Sequence, residues 1–387
     1  MNRPSQVTAC IRIRIAIICA LPLEADAVKA ILDEVYEGTQ DIYTRHSDDT
    51  NIYTLGRIGP HHVVVVQMSG MGTLNGTIAS GYLRYTFKEI KIALVVGICG
   101  AVPQLPDGRD IFLGDVLISN DGLDREAGLS NLLRWEFNET DNWNDKSELV
   151  RDTHRLEAEL AVYLRIAQKA SADEQYQYPG AEQDQLFPAY YQHRHPASIP
   201  CDLCSRYSRI DGPGCLGTIH LSCDLLGCAR HLVTHEIRRR SDGASDICTH
   251  PRVHYGTIAS SDMVMRSGKD RDKFAADHGV IGFEMEGAEV DLYLPSVIIK
   301  GVCDYADSHK SKTWQHYAAL SAACCVKALL GGFQPSDQNS GEGTAGTKVV
   351  LLPARHHQSS CEFVVQIHFA NAVIGIVLAV VLLWVYV

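Results

Sequence analysis

Two acidic signatures flank one short apolar run: Phe283-Glu284-Met285-Glu286-Gly287-Ala288 precedes it, Ser296 to Val302 forms it, and Cys303-Asp304-Tyr305-Ala306-Asp307 follows. A run of that length bounded by polar signals predicts a buried central strand of an α/β sheet, and such strands deliver side chains to a ligand crevice at their carboxyl ends. Asp304 is therefore expected to face a bound molecule. A carboxylate in that position must be paired, hydrogen-bonded or chemically engaged, because an unpartnered buried charge is costly.

Glu284 and Glu286 would share a face in an extended segment, whereas a helix starting at Met285 would separate them. Of the two, Glu286 is favoured as functional, since a carboxylate accepts two hydrogen bonds side by side and so suits a vicinal diol. The alternative is a pair of solvated residues at a helix start. Glu24 falls in the first turn of a predicted helix, just past a predicted strand, where a helix N-terminus favours the ionised form. It could orient or deprotonate a water there, or simply cap the helix. Ser69-Gly70-Met71-Gly72-Thr73 joins a strand to a helix, a setting in which backbone N–H groups point at an anion or an oxygen-rich ligand. It lacks the spacing of a dinucleotide fingerprint or a Walker loop, and the same reading covers Gly97-Ile98-Cys99-Gly100. Cys201-x-x-Cys204, followed by Cys215, Cys223, Cys228 and His231, invites a zinc site with Cys228-x-x-His231 as its second half. The irregular separation favours a loop with incidental thiols, and no metal is assigned. Cys324-Cys325 reads as small core packing.

The elements that must position these residues alternate. Strands are expected at Ile13 to Cys19, Ile52 to Ile58, His62 to Met68, Ile92 to Val96, Val116 to Ser119 and Val253 to Ser260, with the acidic unit after them. Helices are expected at Pro22 to Val35, from Thr73 to about Phe87, at Leu149 to Ala170, near Lys269 to Asp277, and from Thr313 to Leu330, closed by Gly331-Gly332. This alternation is α/β grammar. One domain is expected over residues 11–333, interrupted at about 171–250 by an irregular insertion rich in Pro, His, Tyr and Cys. A flexible linker over 334–362 and an apolar tail over 363–387 follow. From Phe369 to Val387 a helix would be about 28 Å long, close to a bilayer core of about 30 Å, so a membrane tether is expected for a cytoplasmic domain.

The chain has 387 residues, 46% of them hydrophobic, which is enough for a sizeable core. A formal net charge of −11 without a sustained basic stretch argues against a nucleic-acid partner. Thirteen cysteines, an odd number with no secretory signal before them, predict reduced thiols rather than a disulfide scaffold. Ile11 to Leu21 reads as a first strand rather than a signal peptide, since Arg12 and Arg14 interrupt it with period two.

In chain order, six segments resemble the nucleoside phosphorylase and nucleosidase superfamily, of the purine nucleoside phosphorylase and uridine phosphorylase type. They look most like the methylthioadenosine/adenosylhomocysteine nucleosidases and their fungal-type relatives. The segments are Ala20-Leu21-Pro22-Leu23-Glu24, Ser69-Gly70-Met71-Gly72, Gly97 to Val102, Gly256 to Asp262, Phe283-Glu284-Met285-Glu286, and Cys303 to Lys310. The resemblance implies a three-layer αβα fold with a mixed central sheet, a small-molecule nucleoside ligand, no cofactor and a homo-oligomer. It implies cleavage of an N-glycosidic bond through a transition state like an oxocarbenium ion. Asp304 matches the acid at purine N7, Glu286 the ribose diol clamp, Met285 the floor under the sugar, and Glu24 the base for the attacking water, with Ser69, Gly70 and Gly97 around it. Phosphorylases of this superfamily hold phosphate with Arg and Ser where this chain has Val95 and Ile98, so hydrolysis is favoured and inorganic phosphate would be a co-substrate only in phosphorolysis. Val264 stands where the nucleosidases stack a Phe, so the resemblance implies weaker base affinity or a base site at Val264 remodelled by Met263, Met265 and the insertion. Two alternatives stay open: a true phosphorylase, and a catalytically weak nucleoside-binding sensor. His309, Lys310, Lys312, Trp314 and His316 either receive a 5′-phosphate or are solvated.

Overall fold

Ile15–Cys19 (β1) is apolar and buried at all five positions, the pattern of a strand covered on both faces. Its neighbours on either edge, His61–Gln67 (β4) and Ile92–Ala101 (β5), both run parallel to it. The computed structural model describes residues 12–38, 43–119, 146–171, 173–196, 198–206, 214–218, 221–233 and 250–332.

Pro22 opens helix α1 (Pro22–Ala30), as a proline suits a first turn. The helix stops short of the expected Val35. Glu34–Val35 is instead a short edge strand, β2, antiparallel to Ile52–Ile58 (β3), because the backbone beyond the helix finds partners there: Asp33 N donates to Arg57 O at 2.8 Å. Gly59, with φ of 53°, turns β3 into β4. Then come α2 (Thr73–Thr86), β5, β6 (Val116–Ser119), α3 (Lys146–Ala170), two four-residue helices α4 (Asp202–Ser205) and α5 (Cys223–Leu226), and β7 (Val253–Ser260). The chain continues through α6 (Gly268–His278), β8 (Val280–Glu284), α7 (Gly287–Asp291), β9 (Ser296–Asp304) and α8 (Gln315–Gly332). Gly331 and Gly332 end inside α8 rather than capping it.

The nine strands form one mixed sheet in the order β2-β3-β4-β1-β5-β8-β7-β6-β9, and β5 also pairs with β9. The sheet therefore closes on itself through β5, β8, β7, β6 and β9, which strand patterning alone does not imply. Closure depends on β5 running ten residues, well past the expected end at Val96. It lies parallel to β9 from Ala93 to Gly100, with a bulge between Cys99 and Gly100, and its tip at Gly100 and Ala101 turns to β8. A bulge bends a strand and sharpens its twist, which lets one strand serve two neighbours on one edge.

Apolar side chains pack on both faces of this sheet, giving the expected three layers. One core joins Ile17 and Val96 to α1, α3 and α8, including Cys324 and Cys325 in the small-residue face of α8. The other joins Ile18 and Val95 to α2 and α7 through Ala79, Leu83 and Val290. Burial of Asp115 and His254 is compensated by their mutual contact, Nε2 to Oδ2 at 2.9 Å, which also ties the loop before β6 to β7.

The described part of the insertion has only short helical turns, as its composition implies, yet it is packed rather than loose. Tyr176 joins the first core, and Phe187 and His193 are each 2% exposed. The described residues all fall in one unit, Met1–Val349. The linker at 334–362 and the apolar tail at 363–387 lie outside the described residues, among which no helix is long and apolar enough to cross a membrane.

Candidate active site

The chemistry-bearing residues collect at the carboxyl ends of β1, β5, β8 and β9. Glu24, in the first turn of α1, is 3% exposed. Its Oε2 accepts from Ala20 N and Leu21 N, both at 2.9 Å, and its Oε1 accepts from Ile98 N at 2.8 Å. The capping role is therefore real, but the same carboxylate also reaches across to β5. A carboxylate offers about four lone-pair sites, so three backbone donors leave room for one more, a water or hydroxyl. Gly97 permits this approach: a Cβ there would lie 2.1 Å from Glu24 Oε1. Burial pushes the Glu24 carboxyl above its ordinary range, opposed by the Lys300 charge and assisted by Glu286.

Lys300 is the residue that sequence reading missed. It stands in the middle of β9, 1% exposed, with Nζ 3.0 Å from Glu286 Oε2 and 3.4 Å from Glu284 Oε2. A signal was present, since a lone ammonium inside an apolar run has to meet a buried acid. Burial works against its charge, but Glu286, Glu284 and Glu24 together hold it well above the usual lysine range. Burial also works against ionised Glu286, yet Lys300 keeps that carboxyl below its usual value.

The segment Met285-Glu286 is the turn into α7, so the two glutamates part company, as a helix start requires. Glu284 turns inward. It accepts from Glu286 N at 3.0 Å and Gly287 N at 2.9 Å, and Ser260 Oγ donates to it, so its function is to shape the turn. Glu286 keeps one face toward the glycine loop, where Gly72 N approaches Oε1 at 3.4 Å. Gly72 has φ of 104°, a conformation suited to glycine. The loop is locked from the opposite side by Asp262, which accepts from Thr73 N and Thr73 Oγ1, both at 2.7 Å. Met285 and Gly70 are half-buried, while Ser69 is exposed and donates to Asn75 Oδ1 at 3.2 Å.

Asp304 closes β9 four residues beyond Lys300, past the irregularity in the pairing of β9 with β5. Its Oδ1 accepts from Ala306 N at 2.8 Å and meets Lys310 Nζ at 2.9 Å; Cys303 Sγ lies 3.3 Å from Oδ2. Gly100 is its contact on β5, where a Cβ would come within 2.7 Å of Oδ1. Glu24 and Asp304 thus abut β5 three residues apart, roughly 10 Å along a strand. Ala306, with φ of 52°, is a left-handed non-glycine residue directly after the acid, a backbone state that surrounding contacts must enforce.

Those contacts come from α6 and from the insertion. Buried Arg271 donates from Nη1 to Tyr305 O at 2.7 Å, Tyr305 Oη donates to Asp184 Oδ1 at 2.6 Å, and His193 N donates to Ser308 Oγ at 2.9 Å. The basic residues after the acid do not form a solvated cluster. Lys310 is committed to Asp304, His309 is 9% exposed, and Trp314 is 1% exposed with Nε1 donating to Gln183 O at 2.9 Å. Val264 is 41% exposed and Met265 half-buried, beside Met263 at 82%. A separate hollow lined by Ile13, Tyr43, Phe87 and Lys88 lies at the amino ends of β1 and β5, away from these groups.

Residues 14–178 match the family model described as Phosphorylase superfamily. A nucleotide-binding leucine-rich repeat (NLR)-like protein of Hyaloscypha variabilis is 31% identical over 324 residues, covering 81% of this chain and 28% of that protein. The chain thus spans under a third of the length of that relative. Among solved structures, the 5′-methylthioadenosine/S-adenosylhomocysteine nucleosidase of Neisseria meningitidis, in complex with methylthio-immucillin-A, has a TM-score of 0.42 and 16% identity, covering 83% of this chain and 99% of that one. The futalosine hydrolase of Helicobacter pylori has a TM-score of 0.42 and 14% identity, over 83% and 99%.

Proposed function

Because residues 14–178 match the family model of the Phosphorylase superfamily, we propose that this chain cleaves the N-glycosidic bond of a purine nucleoside, with water as the nucleophile. The observation that carries this reading is the Lys300-centred group of Glu24, Glu284 and Glu286, with Asp304 a short way along β5. Three carboxylates around one ammonium leave the crevice net negative, which favours a sugar acquiring oxocarbenium character over the neutral ground state. The ribose diol takes Glu286, whose charge Lys300 maintains. Glu24, with its carboxyl raised by burial, is a stronger base than an exposed glutamate and receives the proton of a water held at its remaining lone pair.

Phosphate is a poor fit to the same place. Ile98 N–H, a donor an anion would need, is already taken by Glu24, and Val95 is buried in the apolar core. A dianion beside three carboxylates is also repelled, so hydrolysis is preferred to phosphorolysis.

At the leaving base, Asp304 Oδ1 is engaged by Lys310 and Ala306 N, so Oδ2, whose partner is the weak thiol donor Cys303, is the oxygen assigned to purine N7. As an ion pair Asp304 is an acceptor, so the proton delivered to N7 passes from Lys310 Nζ to Asp304 as the base enters, and solvent later restores it to Lys310. A second reading follows from this pair: if Lys310 does not yield, the domain binds nucleosides with little turnover.

Incubation with adenosine, inosine, 5′-methylthioadenosine and ATP, with and without phosphate, separates the readings by mass-resolved detection of free base and sugar. Base release independent of phosphate is the expected result, and absence of free base from every substrate would exclude the enzyme reading. Asp304→Asn should lower turnover by about 10²-fold or more, the usual contribution of a general acid. Nucleoside binding by calorimetry without any product would instead favour the binding module.

A further inference from the structure

We infer that this chain binds two zinc ions, one held by His195, Cys201, Cys204 and Cys215, the other by His193, Cys223, Cys228 and His309, the second ion fastening the insertion to the segment that carries Asp304.

By sequence a zinc site would be a single one built on Cys201-x-x-Cys204 and Cys228-x-x-His231, with incidental thiols favoured over it. The structure rearranges the ligands. The ligand atoms of His195, Cys201, Cys204 and Cys215 all lie within 4.8 Å of one another, while His231 is exposed. Cys201 and Cys215 have their sulfurs 3.8 Å apart, and Cys204 Sγ is 3.8 Å from His195 Nδ1. A tetrahedral zinc with bonds of about 2.3 Å to sulfur and 2.0 Å to nitrogen has S···S edges of about 3.8 Å and S···N edges of about 3.5 Å. A disulfide would need the sulfurs at about 2.05 Å. Three thiolates and one imidazole complete four-coordination, the closed set of a structural site.

The second group combines distant parts of the chain. His193, Cys228 and His309 form a set of three whose ligand atoms lie within 4.8 Å of one another; Cys223 lies outside that set, with Sγ 3.3 Å from His193 Nε2, and would move in as the fourth ligand. The His309 side chain is 2% exposed, and among the described residues neither of its ring nitrogens has a partner at hydrogen-bond geometry. Buried imidazole nitrogens are ordinarily satisfied, so this absence points to a missing ligand. Asp307 Oδ2 stands 3.6 Å from Nδ1, the carboxylate placement that orients a ligating histidine, and leaves Nε2 for the ion. Phe187 and Tyr191 stack on the same ring at centroid distances of 4.0 and 5.2 Å, fixing its plane.

Charge distinguishes the two sites in the sense burial demands. Zinc with two thiolates and two neutral imidazoles is uncharged, and that set includes the buried pair His193 and His309. Zinc with three thiolates carries one negative charge, and its ligands His195, Cys201 and Cys204 are only half-buried. A neutral centre is the cheaper one to bury. Each coordinated thiol loses its proton to solvent on binding. Because His309 lies one residue from Lys310, the second ion would hold the partner of Asp304 in register from outside the crevice.

The test is metal stoichiometry on the full chain purified under reducing conditions and supplemented with zinc. Two equivalents per chain are expected, falling to one in Cys201→Ser/Cys204→Ser and to one in Cys223→Ser/Cys228→Ser. Cobalt(II) titration of the unmodified chain supplies a second readout that needs no variant to fold: thiolate-to-cobalt charge-transfer and tetrahedral d–d bands should saturate at two equivalents. Fewer than two equivalents, cobalt without thiolate bands, or recovery of these cysteines as disulfides in non-reducing mass spectrometry would overturn the assignment. None of these readouts depends on nucleoside cleavage.

Discussion

Lys300 sets the charge balance among the buried acids, so its removal should be felt first in stability. Lys300→Met keeps the bulk of the side chain but leaves Glu284 and Glu286 buried without their cation. Removing one partner of a buried pair typically costs about 3–5 kcal/mol, and urea unfolding should show a loss of that order. An unchanged midpoint would mean the ammonium is not what compensates these acids. Glu24 behaves in the opposite sense. Its carboxyl is raised by burial, so the unfolded chain releases that proton first, and stability falls as pH rises from the ordinary glutamate range through the raised folded value. The stability difference between Glu24→Gln and the unmodified chain should therefore move in favour of Gln across that window. Base release, which uses the ionised form, should rise over the same interval and be lost in Glu24→Gln.

Two glycines show how the strands divide fold from function. At Gly97 of β5 a Cβ would meet the Glu24 carboxylate, whose position along α1 can shift only by giving up Ile98 N. Gly97→Ala should lower base release by about 10²-fold, the scale of a misplaced catalytic group, with a comparatively small change in melting temperature. At Gly301 of β9 the added Cβ would lie 1.9 Å from Ala318 O in α8, rigid backbone on the far face of the sheet. Gly301→Ala should therefore cost about 1–3 kcal/mol in thermal unfolding, the range for overpacking a filled core. A reversal of these two phenotypes would contradict the placement of the crevice on the Lys300 face. The strands from Ile52 to Ile58, Val116 to Ser119 and Val253 to Ser260 were legible to the residue because each is a β-prone run between turn or polar signals. Gly97 to Ala101 was not, since glycine carries no strand signal and β9, far along the chain, supplies the pairing.

At the scale of the molecule, the insertion acts as a brace for the acid-bearing segment. Asp184 joins Tyr305 Oη to Leu113 N, and Gln183 O receives Trp314 Nε1. Asp184→Ala should cost about 1–3 kcal/mol by removing the carboxylate that accepts from the buried Tyr305 hydroxyl at 2.6 Å, leaving that hydroxyl the longer contact to Ile111 O at 3.4 Å, and hydrogen exchange should increase at residues 304–310. Unaltered exchange there would separate the insertion from the site. The amino-acid sequence alone determined the α/β alternation, because apolar periodicity is a local property, whereas the three layers and the grouping of Glu24, Glu286 and Asp304 were expected from the family resemblance. Only the tertiary structure decided that the sheet closes on itself, that Lys300 pairs with Glu286 and Lys310 with Asp304, and that His193, His195 and His309 join the cysteines. Each of these depends on groups brought together by folding across long stretches of chain, where the identity of a partner is set by packing and charge compensation rather than by any spacing along the polypeptide.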